Sequence, residues 1–175
     1  GLDLTAVSLS GKDLRDASCT GVNAAGSKMD GAKLQSAKLI KIDAQGADAS
    51  GGDFTGADLT DSKLQSAKLS RADMTKANLK DADITGADLR GTILKGVLNL
   101  HTVTFDNLRG AILDGLDLTA VSLSGGGLGL SGKDLRDASC IGVNAAGSKM
   151  DRIKLQSAKL IKINAQGADA SGGDF

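Results

Sequence analysis

A large aliphatic residue recurs at every fifth position over most of this sequence. The stretch SKLQSAKLSRADMTKANLKDADITGADLRG, residues 62–91, keeps this spacing, and the same phase runs from Leu4 to Leu94. An α-helix turns about 100° per residue and a flat strand repeats every two residues, so neither keeps a five-residue step on one face. The spacing therefore predicts a chain that turns between units of five residues.

Two positions of each unit are expected to face inward. The central residue and a residue two positions before it share a face, because side chains two apart point the same way in extended backbone. The earlier position is usually small, as at Ala67. Where the central residue is only Ala24 or Ala44, the earlier one is the larger Val22 or Ile42. This compensation is typical of a close-packed interior.

The two residues after each central residue are expected to form a turn. Glycine is frequent at the second of them, and glycine readily adopts the positive φ that tight turns require. Four such units predict a coil of about twenty residues. Lys12 and Lys133 place a charge at the small inward position. We expect those turns to be loosened, or the lysine stems to reach out to water.

Several units resemble a known repeat family. The units ADLTD, ANLKD, ADITG and ADLRG are similar to the pentapeptide-repeat family, whose consensus is A-(D/N)-L-x-x. That family folds as a right-handed quadrilateral β-helix. The resemblance implies an all-β solenoid with about twenty residues per coil.

The domain organisation predicted from the repeat is one solenoid over residues 1–175. Phase slips predict irregular segments at 95–110 and 125–131. Residues 1–54 recur almost unchanged as 115–175, with the second irregular segment inserted. A recent gene duplication and engineering would both produce such identity, because each coil of a solenoid contacts only its neighbours.

A glycine-rich segment imitates a nucleotide-binding motif. Gly127, Gly129 and Gly132 have the spacing G-x-G-x-x-G, and Lys133 nearly completes a P-loop. Both motifs need a following helix, but the five-residue step resumes at once. Asp134 also stands where a P-loop needs Ser or Thr. The segment is interpreted as a bulge, and no nucleotide cofactor is expected.

The sequence predicts no catalytic, cofactor-binding or metal-binding residues. Cys19 and Cys140 fall on inward positions and are interpreted as small buried side chains, with a disulfide or a metal site as the open alternative. His101 is the single histidine and is interpreted as a loop or packing residue. No set of converging groups for catalysis is visible, so an enzyme is not expected.

The residue before each central residue is expected to point outward. Positions twenty apart should stack, and opposite charges alternate along such a stack. One predicted stack contains Lys28, Asp48, Lys68 and Asp88. Around the coils, a basic belt is followed by an acidic belt, formed by Lys28, Lys33 and Lys38 and then by Asp43, Asp48, Asp53 and Asp58. This ladder is interpreted as a device for register and solubility, or as a striped docking surface.

Composition limits the classes of function. Lys and Arg together number 21, as do Asp and Glu, so the net charge of zero favours neither direct nucleic-acid binding nor an anionic membrane. No apolar run is long enough to span a membrane, and no small-molecule substrate is expected. A cytoplasmic location is expected, with a removed leader as the open alternative.

The expected function is that of a non-catalytic structural or protein-interaction module with an unknown protein partner. It would be a rigid rod about 40 Å long with flat charged sides. The alternative implied by the resemblance is a DNA mimic that binds and protects DNA gyrase, although this chain lacks the strongly negative sides that mimicry requires. Uncapped coil ends predict end-to-end pairing of copies, unless caps outside this sequence cover them.

Overall fold

The computed structural model describes residues 2–99, 103, 132, 135–143, 145–147 and 149–175. Within these residues the backbone forms no helix and no strand of several residues. The regular secondary structure consists of isolated parallel β-bridges, each of which joins one residue to one other. Bridges occur in two parts of the chain, residues 2–99 (the first run) and the described residues of 132–175 (the second run). No helix in the described part of the chain is long and apolar enough to cross a membrane.

The bridges give the coil its length. Asp3 pairs with Asn23, and Asn23 pairs with Asp43, so successive partners are twenty residues apart. In the second run Ser139 pairs with Lys159 at the same separation. The predicted coil of twenty residues is therefore confirmed in both runs.

The predicted turns occur between the bridges. Val7 N–H donates to the Leu4 carbonyl at 3.0 Å, and Ala6 between them has φ of 57°. Every fifth residue from 6 to 96 has positive φ, between 55° and 71°. A β-turn with positive φ only at its second central residue has the type II pattern, which favours glycine there. Several corners nevertheless hold other residues, namely Ala6, Asp16, Ser36, Lys41, Asp61, Ser66, Arg71, Lys76 and Asp81.

Backbone hydrogen bonds join each coil to its neighbours. In the unit 57–61, the amides of Asp58, Leu59 and Asp61 donate to carbonyls of adjacent coils at 2.8–2.9 Å. The turn amide of Ser62 donates to the Leu59 carbonyl at 3.1 Å. In this interior repeat, four of the five amides are thus bonded to backbone carbonyls. The fifth amide, that of the first turn residue, has no backbone acceptor. It is expected to bond to a side chain or to water, because main-chain polar groups need hydrogen-bond partners.

The inward positions form a continuous core. Leu59, Leu69 and Leu79 are at most 1% exposed, as predicted from the five-residue step. Val22 and Ile42 are buried beside Ala24 and Ala44, which confirms the predicted size compensation. Each fully buried Leu contributes about 1.5–3 kcal/mol relative to an exposed one. The same contribution recurs along the run and stabilises the stack of coils.

The outermost coil of the first run is less buried. Leu4, Leu9 and Leu14 are only partly buried, because they are covered from one side. Lys12 lies in this coil with an exposed side chain, so its charge reaches water. Its amide donates to the Leu9 carbonyl at 3.0 Å and Gly11 has φ of 64°, so of the two expected outcomes the lysine stem reaches water and the turn is not loosened. Lys133 lies outside the described residues.

Most of the predicted irregular segments also lie outside the described residues. Of segment 95–110 only 95–99 and Val103 are described, and segment 125–131 is not described at all. Beyond them, positive φ recurs at every fifth residue from Gly132 to Gly172. The organisation of the whole chain as one solenoid therefore stays a proposal.

Candidate functional site

The outward residues stand in four columns along the first run. Each column joins bridge residues twenty apart, as the sequence predicted. The first column is Asp3, Asn23, Asp43, Lys63 and Asp83; the second is Ser8, Lys28, Asp48, Lys68 and Asp88; the third is Asp13, Lys33, Asp53, Asp73 and Ile93; the fourth is Ser18, Lys38, Asp58, Asn78 and Leu98.

The charges of these columns form fewer ion pairs than the ladder prediction implies. Lys63 Nζ lies 3.4 Å from Asp43 Oδ2, and Lys68 Nζ lies 3.3 Å from Asp48 Oδ2. Both lysine side chains are more than half exposed, so each pair contributes about 0–1 kcal/mol. Among the described residues, no ion pair is found for the basic belt of Lys28, Lys33 and Lys38. These three lysines also stand on three different columns, so no one column presents the belt.

Two aspartates are paired instead with arginines of their own turns. Arg15 bonds to Asp13 through Nε at 2.8 Å and through Nη2, and this bonding lowers the pKa of Asp13 to about 2. Arg90 holds Asp88 in the same way, with bonds of 2.8 and 2.7 Å that lower the pKa of the Asp88 carboxyl. Both arginines neutralise carboxylates on the surface of the rod.

The main role of the outward aspartates is one that sequence reasoning missed. Thr60 N–H, the turn amide without a backbone acceptor, donates to Asp58 Oδ1 at 3.1 Å. Thr75 N–H donates to Asp73 Oδ1 at 2.9 Å, and Lys80 N–H donates to the amide oxygen of Asn78 at 3.2 Å. A side-chain oxygen two residues before an amide forms such a bond readily. The Asp or Asn of the consensus A-(D/N)-L-x-x is the sequence signal from which this role could have been predicted.

Glutamines add bonds between coils where a lysine replaces the aspartate. Gln35 Nε2 bonds to Asp53 Oδ2 and Gln65 Nε2 bonds to Asp83 Oδ2, the latter at 2.7 Å. Burial raises the pKa of Asp83, but the bonds from Thr85 and Gln65 outweigh it, so the net pKa is lowered. These glutamines connect a turn to the aspartate of the next coil.

The described residues present no cluster of metal-ligating side chains. Neither Cys19 nor Cys140 forms a disulfide. Cys140 is buried, which confirms the interpretation of a small core residue, while Cys19 is half-buried and its burial raises the pKa of the thiol. His101 lies outside the described residues, as do Gly127, Gly129 and the other residues of the false P-loop except Gly132.

The two runs differ in how completely their interiors are filled. In the first run, the space around Met29, Phe54 and Leu64 has a cavity of only about 10 Å³. In the second run, an apolar opening of about 220 Å³ is lined by residues such as Cys140, Leu160 and Phe175. Neither space has the converging polar groups that a catalytic site requires.

Comparison with known families identifies the repeat. The sequence model described as Pentapeptide repeats matches in eight copies, over residues 3–39, 27–65, 37–75 and 57–96. These matches together span more than half of the chain. The chain belongs to the pentapeptide-repeat family. None of the curated protein sequences matches it significantly.

Solved pentapeptide-repeat structures are similar to parts of this chain. A protein of the Arabidopsis thaliana thylakoid lumen is 30% identical with a TM-score of 0.51, over 55% of this chain and 66% of that one. Rfr23 of the cyanobacterium Cyanothece 51142 is 28% identical with a TM-score of 0.42, over 57% of this chain and 65% of Rfr23. The chain thus spans slightly less than two thirds of either relative.

A third solved structure concerns the alternative function. QnrB1, a plasmid-mediated fluoroquinolone resistance protein, is 20% identical with a TM-score of 0.32, over 90% of this chain and 76% of that one. A score at this level carries no argument about the function of this pentapeptide-repeat chain.

Proposed function

We propose that this chain is a non-catalytic protein-interaction module, built as a right-handed, four-sided β-helical rod. Membership of the pentapeptide-repeat family supports the right-handed winding and the four-sided cross-section of this rod. The single observation that supports the function most is the set of outward columns, in which one residue per coil is presented at a fixed repeat. A partner that matches this repeat would gain many small contacts on a rigid surface, with little ordering cost on binding.

The columns differ in charge, and we infer that this difference determines which column a protein partner binds. The second column alternates in sign over Lys28, Asp48, Lys68 and Asp88, whereas the third column has an excess of carboxylates. Electrostatic complementarity controls the choice of partner and the rate of association more than it controls affinity. We infer that a protein partner docks along one column and distinguishes it from the others by charge.

The test compares neutral variants of two columns. Replacing Asp53 and Asp73 with Asn keeps the turn acceptors and removes two charges from the third column. Replacing Asp48 and Asp88 with Asn is the matched change on the second column. The tagged 175-residue chain and both variants are used to capture proteins from the source cells, and the captured proteins are identified by mass spectrometry. The proposal is supported if a protein captured by the unchanged chain is lost with one variant and retained with the other. Equal capture by all three chains contradicts it.

The gyrase alternative is tested separately. Mimicry of DNA requires dense negative charge, since duplex DNA carries one charge per about 1.7 Å. Here the second column alternates in sign, and the chain has no net charge. We expect the protein to leave gyrase supercoiling unchanged. Inhibition at micromolar concentration would favour the alternative over the module proposed here.

A further inference from the structure

In the first run, turns that follow an outward lysine have a backbone amide without an acceptor among the described residues, and the amide of Ser70 is one of these. Ser70 is the first turn residue of its unit, and Lys68 stands where the family consensus has Asp or Asn. A lysine side chain donates only, so it cannot accept this amide. Among the described residues, no oxygen accepts a hydrogen bond from Ser70 N–H.

The coils on either side show which chemical group fits this position. One coil before, Ser50 N–H donates to Asp48 Oδ1 at 3.2 Å. One coil after, Arg90 N–H donates to Asp88 Oδ1, also at 3.2 Å. The equivalent position beside Ser70 therefore accommodates a carboxylate oxygen, but the chain does not supply one there.

The surroundings of this amide are basic and concave. A surface concavity of about 560 Å³ is lined by Ser50, Gly51, Ser70, Arg71 and Arg90, with no carboxylate in its lining. The Ser70 hydroxyl donates to Ser50 Oγ at 3.3 Å and so joins the turns of two neighbouring coils. The Arg71 stem packs over the next turn, where a Cβ added at Gly91 would meet Arg71 Cγ at 3.5 Å.

The two arginines of this concavity differ in their partners. Arg90 is held by Asp88 through two bonds, whereas Arg71 forms no ion pair within the described part of the chain. A guanidinium group binds carboxylate and phosphate with two parallel bonds. Arg71 is therefore available to such a group.

We propose that the Ser70–Arg71 turn binds an anionic oxygen group, a phosphate or a carboxylate. The Ser70 amide and the Arg71 guanidinium are the donors, and the bound oxygen takes the place that the aspartate oxygen occupies in the neighbouring coils. In the first run, the other turns with a lysine at this position, such as that of Gln65, have no arginine in their own unit. This inference deepens the proposed function, because the group would be presented by the protein partner.

The test is a titration of the full ¹⁵N-labelled chain with sodium phosphate and with sodium acetate, followed by amide chemical shifts. Sodium chloride at equal ionic strength is the reference. The Ser70 amide is expected to shift and saturate, while the Ser50 amide, which is already bonded, stays in place. Saturation with phosphate alone identifies a phosphorylated group, and saturation with both anions identifies an acidic side chain as well.

Two variants distinguish a site from general attraction of anions. Lys68→Asp restores the turn acceptor of the chain itself and should weaken binding at least about tenfold, because one charge-assisted bond is lost and a carboxylate repels the anion. Arg71→Gln should weaken it similarly. Lys63→Asp makes the same charge change at the turn of Gln65 and should leave binding at Ser70 nearly unchanged.

The proposal is overturned if sodium chloride reproduces the Ser70 shift, or if Lys68→Asp and Lys63→Asp weaken binding equally. Because these titrations contain no protein partner, their failure would leave the column experiment unaffected. Conversely, if phosphate or acetate binds at the Ser70–Arg71 turn while the column variants capture proteins equally, only the docking proposal is contradicted.

Discussion

The pair Gly52 and Phe54 allows a sharp test of the packing inside the coil. Gly52 occupies the small inward position, and Phe54 occupies the central position with 2% exposure. A Cβ added at Gly52 would lie 2.8 Å from Phe54 Cε2 and 3.1 Å from the Ala49 carbonyl oxygen. Units such as that of Ala57 and Leu59 pair alanine with leucine at these positions, so the larger ring of Phe54 is matched by the absent methyl group of Gly52.

Two effects of opposite sign decide the result of Gly52→Ala. Alanine restricts the unfolded chain, which stabilises the folded state by about 0.4–1 kcal/mol where the backbone suits it. Overpacking of a filled core costs about 1–3 kcal/mol. We expect net destabilisation of about 1 kcal/mol. Phe54→Leu removes the clashing atoms, so the double variant should be more stable than the two single changes predict, by about 0.5–3 kcal/mol.

The second copy of the sequence supplies a matched control. An added Cβ at Gly173 would also lie 2.8 Å from the ring, here that of Phe175, and 3.1 Å from the Ala170 carbonyl oxygen. Phe175 is 69% exposed, so its ring can move away. Gly173→Ala should therefore be neutral or slightly stabilising.

Urea unfolding followed by circular dichroism measures all four variants, since a change in midpoint at constant slope reports stability. Equal effects of Gly52→Ala and Gly173→Ala would refute the reasoning, because the added Cβ lies 3.1 Å from the nearest backbone oxygen at both sites and the rings differ in their freedom to move. Failure of Phe54→Leu to relieve Gly52→Ala would refute it independently.

Further predictions concern turns, buried hydroxyls and pH. Asp48→Asn keeps the turn acceptor and should cost less than about 1 kcal/mol, whereas Asp48→Ala loses a hydrogen bond and should cost about 1 kcal/mol more in urea unfolding; equal losses would contradict the turn-acceptor role. Asp61→Gly removes a side chain at φ of 56° and should stabilise by about 0.5–1 kcal/mol, unlike Asp61→Ala. Ser27 Oγ is buried without a partner, so Ser27→Ala should raise the melting temperature by calorimetry, through a gain of about 1 kcal/mol, and a lower melting temperature would argue against the burial. The bond from Arg15 lowers the pKa of Asp13 from 3.8 to about 2. The folded state then binds fewer protons than the unfolded state, so this stabilisation is complete above about pH 4 and is lost as the pH falls through about 2. Melting temperatures that stay constant over this acid range would contradict it.

The five-residue spacing was sufficient to predict much of the architecture. The burial of Leu69, the positive φ at Gly56 and the stacking of Lys28 on Asp48 all follow from the order of residues. Such features depend on local spacing and on the exclusion of water from aliphatic groups, and both are properties of the sequence.

Only the tertiary structure decided what the polar side chains do. Asp58 was interpreted as a member of a charge ladder, but its oxygen accepts the Thr60 amide. For Lys12 the sequence left two outcomes open, a loosened turn or a stem that reaches water. The turn keeps its hydrogen bond, because the side chain reaches water at the surface of the outermost coil. Whether a polar side chain forms an ion pair, accepts a hydrogen bond from a backbone amide or is solvated depends on differences of a few tenths of an ångström in the distances to these partners. Those distances are determined by the stacked coils and are absent from the linear pattern.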